Sequence, residues 1–469
     1  MANQVNRKKS FSIAKLNIRS IENPSDPGYD LTSIFVEMNI FSNIASTITS
    51  GYITVAEQFN LISKMPIVGK EFIDIEFNTM TDSNEYESYH RVFFVYAIDS
   101  LSEEKDSRIY CIRFTDAIGI LNNDIRLSIQ YEEKVEDIIE KIGKVYNYTD
   151  KNSTSNKYKN ILEKFDNKNR TEVFNYKKND ETSTDTMHKF KFVIPNWKPL
   201  TALQYLTSRT VSTNFTSNLE NTFCDCILYQ NRHGEIIFTN YKNMFEYPLI
   251  GKTDGVITLV KRPGNIEALD DFNTLETKRH ILKYTFSNLF NSQIQKSSGQ
   301  FGLSEYITNF ANGVADPVEI PYEQNQTSNC AIKDILKYYN IDNGSYSHYS
   351  YEPLNMTGNS LLIYGVSSIN TSKEFDEYRK FIEPYQKSIA IRQIIEGQKI
   401  TLHCLGQSDL DLGKYISIDL GKHDDEAIAN YINNLRWVIT AITHRITPDS
   451  YTTDIECYTP YLNINRKKA

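Results

Sequence analysis

The sequence predicts a β-rich α+β fold, in which two similar antiparallel β-barrel domains at the two ends of the chain enclose mixed α/β domains. One observation is a pattern of strands and a glycine that occurs near both termini. A second is the alternation of apolar and polar residues in both terminal segments, which is typical of half-buried strands. A third is that, between the two terminal segments, apolar residues recur at the spacing of a helix. The two copies are Ile53-Thr54-Val55, Gly69-Lys70-Glu71-Phe72-Ile73 and a strand from Arg91, and then Ile400-Thr401-Leu402, Gly413-Lys414-Tyr415-Ile416 and a strand from Arg436.

These patterns divide the 469 residues into four predicted parts. Residues 1–130 form the first barrel, and 131–265 form a mixed α+β domain with a polar insertion near 151–185. Residues 266–385 form a second, partly irregular mixed domain, and 386–469 form the second barrel, which can recruit strands from earlier segments. At about 100 to 200 residues per domain, a chain of this length can hold several packed cores.

Composition excludes some classes of function. The formal net charge is −8 and the basic residues are dispersed, which argues against tight binding of nucleic acid. No stretch approaches the ~20 apolar residues that cross a bilayer. The chain has 31 Tyr and 24 Phe against 2 Trp, which fits either wet, permanent interfaces or aromatic-rich strands. Free thiols in a reducing compartment are expected for the six scattered cysteines, Cys111, Cys224, Cys226, Cys330, Cys404 and Cys457, because no secretory segment opens the chain.

The first 130 residues are predicted to be almost entirely β. The alternating positions lie near residues 34–40, 73–77, 92–98 and 110–114. The period then becomes helical from Val135 to Tyr146, which predicts a helix that begins a new domain. Residues 151–185 are rich in Asn, Lys, Ser and Thr, and they are predicted to be a surface insertion or partly ordered loop outside the core.

After this insertion, Pro199 in a first turn predicts a helix from about Leu200 to Val211. Two short apolar runs around Asn231-Arg232-His233-Gly234 predict a hairpin. Residues 266–313 are poorly periodic, and 331–339 and 373–382 are each predicted as a short helix. The β character returns from Lys387, with strands predicted near Ile389 and Ile391 and then at 400–402, 416–418, 438–442 and 451–458, before a basic tail at 466–468.

Candidate catalytic and metal sites are few. Cys224, Cys226 and His233 could be three zinc ligands, but a Cys-x-Cys pair on one strand points both thiols to the same face, and no second pair lies nearby. His444 lies close in sequence to Asp449 and Asp454, yet no activated nucleophile accompanies it, so a turn histidine with local hydrogen bonds is predicted. Neither a Walker loop nor a Gly-x-Gly-x-x-Gly motif is present. No cofactor, metal ion or enzymatic activity is therefore expected.

Several segments resemble a known family. The run Leu405-Gly406-Gln407-Ser408-Asp409-Leu410-Asp411-Leu412-Gly413-Lys414-Tyr415-Ile416 and the run Trp437 to Thr453 are similar to the central baseplate hub protein of contractile-tailed bacteriophages, which is related to late control protein D and to the hub part of type VI secretion spike proteins. The segments Gly51 to Phe77 and Ile194 to Leu200 resemble the same family. The positions that the resemblance marks as structural or interface candidates are Gly69, Phe72, Trp197, Ser408, Asp409, Leu410, Gly413, Trp437, His444 and Tyr451.

The resemblance implies a structural virion protein of the tail baseplate, assembled in the host cytoplasm. It implies that the two barrels are of the tube type, and that a homotrimer places six of them in a ring between a six-fold tail tube and a three-fold central spike. The implied partners are the spike protein, tail tube or tube-initiator proteins, the tape measure protein and surrounding baseplate proteins. DNA would pass through the lumen without specific binding, and a mildly acidic wall would repel it.

Two other functions stay open at this point. Aromatic-rich β segments and plentiful carboxylates would also fit a tail-associated glycan or peptidoglycan hydrolase. A receptor-binding fibre module would normally bring repetitive shaft sequence, which is absent.

Overall fold

The computed structural model is built mainly from strands. It describes residues 11–58, 61–65, 67–80, 86–104, 107–147, 154–166, 172–178, 186, 189–212, 224, 226–244, 257–261, 279–288, 302–309, 314–321, 362–364, 388, 398–420 and 435–459. The strands are β1 (Phe11–Ser20), β2 (Tyr29–Asp30), β3 (Phe35–Asn43), β4 (Ser50–Glu57), β5 (Glu71–Met80), β6 (Tyr86–Glu104), β7 (Ser107–Thr115), β8 (Gln130–Lys134), β9 (Tyr176–Lys178), β10 (Lys189–Val193), β11 (Cys226–Gln230), β12 (Ile236–Asn240), β13 (Ile257–Lys261), β14 (His280–Asn288), β15 (Gly302–Asn309), β16 (Val314–Pro321), β17 (Leu362–Tyr364), β18 (Gln398–Leu405), β19 (Tyr415–Asp419), β20 (Arg436–Ile446) and β21 (Tyr451–Thr459). The helices are α1 (Leu61–Lys64), α2 (Ala117–Asp124), α3 (Val135–Tyr146), α4 (Thr154–Phe165), α5 (Pro199–Thr207) and α6 (Tyr241–Met244).

The C-terminal strands form a closed ring. Hydrogen-bonded neighbours follow the order β19, β13, β14, β18, β21 and β20, and β20 pairs again with β19. Two of these strands, β13 and β14, precede residue 386, so the ring takes strands from earlier in the chain. Burial alternates strictly along β18 and β21, and the inward side chains form one apolar core that contains Trp437. We call these six strands the second module.

The N-terminal strands repeat part of this order. In the first module, which comprises β1 and β3 to β7, the neighbours run β4, β7, β6 and β5, and the second module runs β18, β21, β20 and β19 in the same relation. A buried arginine lies in the equivalent strands β6 and β20, Arg91 within β6 and Arg436 at the start of β20. β6 is bulged against β7 between Val95 and Ala97, and β20 is bulged against β21 between Ile439 and Ala441. The repeated sequence pattern therefore corresponds to a repeated strand order.

The prediction of two separate, similar barrels is not confirmed, because the two modules share one sheet. β3 pairs with β20 over residues 38–43 and 441–446, and the result is a continuous sheet of 13 strands. The flanking strands also differ, since β1 runs antiparallel to β5 whereas β13 runs parallel to β19. Pairing of β3 with β20 has a physical advantage, because an edge strand that finds a partner no longer exposes its backbone N–H and C=O groups.

A third core, which we call the helical core, lies under the helices between the modules and contains Ile138 of α3, Leu162 of α4 and Leu203 of α5. α3 extends over the predicted range 135–146, and α5 begins at Pro199 and ends at Thr207, slightly earlier than predicted. The predicted hairpin is also confirmed, as β11 and β12. β8 and β10 form a two-stranded ribbon, and β9 pairs with β12. β15, β16 and β17 form a separate three-stranded sheet.

The prediction that residues 151–185 lie outside the core is wrong. Residues 154–165 form the amphipathic helix α4, whose Leu162 is fully buried. The Phe165 ring lies 5.1 Å from the ring of Phe72, and Tyr158 meets Phe94 edge-on at 4.5 Å. The composition misled because the few apolar residues of this segment share one face of the helix, and that face is sufficient to anchor it to the first module.

Several other predictions fall outside the described residues. These are the helices at 331–339 and 373–382, the strands near 389–391 and the basic tail at 466–468. Within the described part of the chain, the longest helices have 12 residues and none is long and apolar enough to cross a membrane.

Candidate functional site

The candidate site is the junction where the two modules and the β11–β12 hairpin meet. Two segments form it: the junction loop, residues 406–412 between β18 and β19, and the hairpin tip, residues 231–234. The tip is held in shape locally, because the Asn231 side chain accepts hydrogen bonds from the backbone N–H groups of His233 and Glu235. Gly234 has a φ of 81°, a conformation that glycine adopts without a steric penalty.

Arg232 at the tip connects both modules. Its guanidinium donates a hydrogen bond of 2.9 Å to the carbonyl oxygen of Ser408 in the junction loop. The same guanidinium pairs with Glu87 on β6 at 2.5 Å. Its backbone N–H donates to the carboxylate of Asp411 at 3.0 Å. One residue therefore ties the junction loop to the first module.

A buried ion pair supports the tip from below. Arg91 donates to Asp116 at 2.7 Å, and both side chains are 0% exposed. Arg91 also donates to the carbonyl oxygens of Asn231 and Arg232, at 3.4 and 3.2 Å. Asp116 itself caps α2, accepting from the N–H of Ile118. The pair thus fixes the hairpin tip on the first module and on the start of α2.

A second arginine holds the other side of the junction loop. Arg279, which directly precedes β14, donates to Asp409 at 2.6 and 3.2 Å and to Gln407 at 2.6 Å. The backbone N–H of Gln407 donates to the hydroxyl of Thr453 on β21. The Ser408 hydroxyl makes a short contact with that of Thr79 on β5. The loop is consequently bonded to both modules within three consecutive residues.

An aromatic cluster closes the junction. His444 is hydrogen-bonded to the Tyr451 hydroxyl at 2.8 Å, and both rings pack on Phe77 of the first module. His444 also packs on Tyr89. Burial, assisted by the charge of Arg232, lowers the pKa of His444 to about 4, so this imidazole is neutral at pH 7. Burial also raises the pKa of Tyr89 to about 12 and that of Tyr451 further. The cluster is an uncharged contact between the modules.

The predicted site residues divide into two groups. Ser408, Asp409, Leu410, Gly413, His444 and Tyr451 come together at the junction. The other four lie apart: Gly69 in an exposed turn before β5, Phe72 in the helical core, Trp437 in the core of the second module, and Trp197 half-buried against Tyr205 and Phe192. The sequence analysis did not single out Arg91, Asp116, Arg232 or Arg279 as site residues, because a single arginine or aspartate has no local pattern.

Two details of the sequence analysis need correction. His444 lies within β20 and not in a turn, and Asp454 pairs with His403 and Arg445 instead. Cys224 and Cys226 do not share one face, since Cys224 packs in the core of the second module and Cys226 in the helical core. The described cysteines carry free thiols, and the described residues hold no group of three or more potential metal ligands.

The arrangement is suited to holding segments in place. Burial raises the pKa of the Asp411 carboxyl, which the N–H groups of Arg232 and Leu412 oppose by donating to it. The other charged groups described here are engaged in ion pairs or hydrogen bonds with protein groups. The geometry joins three chain segments that are far apart in sequence.

Comparison with known proteins finds no matching family model and no matching curated protein. Among solved structures, the chain is similar to a 43 kDa tail protein of prophage MuSo2 from Shewanella oneidensis, with 10% identity, a TM-score of 0.46 and coverage of 95% of this chain and 98% of that one. A tail protein from Neisseria meningitidis MC58 matches with 9% identity, a TM-score of 0.47 and 96% coverage of both chains. An E. coli component of the type VI secretion system, described as structurally similar to T4 bacteriophage tail proteins gp27 and gp5, matches with 11% identity, a TM-score of 0.40 and coverage of 96% and 76%. With TM-scores below 0.5, these similarities are too weak to establish the fold or the function of this chain.

Proposed function

We propose that this chain is a non-enzymatic structural protein of a phage tail, a trimeric central hub of the baseplate that adapts a six-fold tail tube to a three-fold spike. The observation that carries the proposal is the strand order β4, β7, β6, β5, which recurs as β18, β21, β20, β19 in one continuous sheet. Three copies of a chain with two such modules present six related modules around one axis. A partner with six-fold symmetry can then bind one side, while the parts that occur once per chain keep three-fold symmetry.

The junction supports this role because a ring requires a constant angle between its modules. Arg232, Arg91 and Arg279 connect the hairpin tip, the junction loop and both modules by hydrogen bonds of 2.5 to 3.4 Å. The pairing of β3 with β20 adds a main-chain connection. An adaptor held in this way loses little conformational freedom when it assembles, which favours association.

The charges on the sheet support the passage of DNA through the lumen. On β20 and the neighbouring strands β21 and β18, Arg445 is paired with Asp454 at 2.7 Å and Lys399 with Glu456 at 2.7 Å. Phosphate groups bind proteins mainly through available cations. Arginine and lysine side chains that already have carboxylate partners would let DNA slide past a wall formed by this face.

The proposed partners are two further copies of this chain, a spike protein, and tube or tube-initiator proteins, with tape measure and peripheral baseplate proteins around them. The location is the tail baseplate of a virion. The ring interfaces are expected to bury more than ~2,000 Å² each, as obligate assemblies do.

The molar mass in solution tests the proposal. Light scattering after size-exclusion chromatography is expected to find about three times the 54.3 kDa of one chain, alone or with the spike protein. A stable monomer that binds neither tube nor spike protein would refute the hub.

The alternative function, a glycan or peptidoglycan hydrolase, is tested by incubating the chain with purified cell walls. Release of soluble fragments would contradict a purely structural role if substitution of one carboxylate abolishes that release.

A further inference from the structure

Arg19, near the end of β1, is a partly buried arginine without an anionic partner. Its guanidinium lies over the ring of Phe165 at the end of α4, with 4.9 Å between the Cζ atom and the ring centroid. Within the part of the chain that the structure describes, it has no carboxylate partner and no hydrogen-bond acceptor. Its Nε is buried, whereas its two terminal nitrogens are accessible to solvent. The arginines of the junction differ, since Arg91, Arg232 and Arg279 each pair with a carboxylate.

A second cation and a hydroxyl group lie beside this guanidinium. The Lys164 ammonium is 5.2 Å from the centroid of the same Phe165 ring, and it donates a hydrogen bond of 3.3 Å to the Ser25 hydroxyl. The loop that carries Ser25 packs against Arg19, because a Cβ atom built on Gly28 would lie 2.6 Å from the Arg19 Cγ. The end of β1, this loop and the end of α4 therefore bring two cations and a hydroxyl together at the surface.

The carboxylates around this group are engaged elsewhere. Glu22 pairs with Lys157, Asp26 accepts the N–H of Gly28, Glu163 pairs with Lys159, and Glu71 accepts the N–H groups of residues 68–70. Asp166, directly after α4, is buried. None of the carboxylates that the structure describes forms an ion pair with Arg19 or Lys164. An anion from solvent can therefore contact both cations directly.

The donors suit a phosphate monoester better than other anions. An arginine held against an aromatic ring keeps the N–H groups at its edge free, and these bind phosphate or carboxylate oxygens in pairs. A phosphate monoester carries a charge of about −1.5 to −2 at pH 7 and three acceptor oxygens. Two cations and a hydroxyl match that charge and that number of oxygens. A carboxylate or a phosphodiester has a single negative charge and would leave one cation without a partner.

We infer that Arg19, Lys164 and Ser25 form a binding site for a phosphate monoester, either free phosphate or the phosphoryl group of a small molecule. The site goes beyond the proposed hub function and does not depend on a ring of subunits. α4 then has a second role, because the helix that packs on the first module also supplies Lys164 and Phe165 to the site. A bound phosphate would connect α4 to β1 and stabilise the folded chain.

Equilibrium dialysis of the full-length chain against radiolabelled inorganic phosphate, at constant ionic strength, tests the site. The unmodified chain is expected to bind about one phosphate per chain, and Arg19→Gln and Lys164→Gln are each expected to weaken binding about tenfold or more. Arg126→Gln is the matched control, because it removes the same charge from a guanidinium that already donates to the carbonyl oxygens of Asn123 and Ile125. The control is expected to bind phosphate like the unmodified chain.

A melting curve provides a second measurement. Phosphate is expected to raise the melting temperature of the unmodified chain more than that of Lys164→Gln. Lys164 is exposed, so this variant keeps the test decisive even if Arg19→Gln disturbs the packing on Phe165. Competition with a sugar phosphate distinguishes free phosphate from a phosphoryl group on a larger molecule, and displacement by either one supports the site.

Three results would overturn the inference. The first is the absence of saturable phosphate binding by the unmodified chain. The second is an affinity for phosphate that neither Arg19→Gln nor Lys164→Gln changes. The third is displacement of the labelled phosphate by acetate or by duplex DNA more readily than by the sugar phosphate, because the site would then prefer a singly charged group.

Discussion

Acidification is predicted to weaken the junction between the modules through His444. This residue is buried, with its ring nitrogen hydrogen-bonded to the Tyr451 hydroxyl and its faces packed against aromatic rings of the first module. Burial and the nearby charge of Arg232 lower its pKa from 6.5 to about 4. The folded chain therefore resists the proton that an unfolded chain accepts.

The magnitude follows from the two pKa values. Above pH 6.5 the imidazole is neutral in both states, so this residue makes no pH-dependent contribution. Between pH 6.5 and about 4 the unfolded state binds the proton and the folded state does not, so stability falls as the pH falls. At about 1.4 kcal/mol for each pKa unit, the difference of about 2.5 corresponds to a loss of about 3 kcal/mol.

Hydrogen exchange of the backbone amides of β20 and β21 measures this loss locally. The free energy of opening, corrected for the intrinsic exchange rate at each pH, is expected to fall by up to about 3 kcal/mol more in the unmodified chain than in His444→Gln. Glutamine can keep a hydrogen bond to the Tyr451 hydroxyl and does not titrate, so carboxylates elsewhere contribute equally to both proteins. Equal acid losses in the two proteins would refute the assignment of this effect to His444.

Three further substitutions test the packing around the junction and the helix of the polar segment. Arg91→Met leaves the Asp116 carboxylate buried without its ion-pair partner, and it is expected to cost about 3 to 5 kcal/mol of stability by urea unfolding. Gly413→Ala must adopt a left-handed backbone at a cost of about 1 to 2 kcal/mol and also displace the Tyr229 hydroxyl, so a melting temperature lowered by several degrees is expected. Leu162→Ala removes a fully buried side chain of α4 and is expected to cost about 2 to 5 kcal/mol, measured by urea unfolding.

Each of these has a matched control. Arg113→Met breaks the exposed pair with Asp99 and is expected to cost no more than about 1 kcal/mol; a loss as large as that of Arg91→Met would contradict the role of burial. Gly69→Ala has the same backbone but open space, so it should lower the melting temperature less than Gly413→Ala does. Lys159→Ala is the control for Leu162→Ala, because Lys159 is on the same helix in an ion pair with Glu163. Equal losses of stability for the two substitutions would mean that α4 does not pack as described.

Much of the fold was predictable because the signals are local. The alternation in β18 and β21, the helical spacing of α3, and Pro199 at the start of α5 depend only on residues within each element. The repeat was also visible, since equivalent turns carry a glycine and a lysine in both halves. Even the hairpin around Gly234 followed from turn residues alone.

The sequence by itself determined the alternating strands of the two terminal segments, the helices α3 and α5, the β11–β12 hairpin, and that the two ends of the chain carry the same pattern. Only the tertiary structure decided that β3 joins β20 in one sheet, that β13 and β14 complete the second module, and that α4 packs on Phe72. Arg232 likewise became a site residue only when Glu87 and Ser408 were brought to it from opposite ends of the chain. The physical reason is that periodicity records which face of an element is buried, whereas the partner of that face is chosen by shape and by hydrogen bonds between residues hundreds of positions apart.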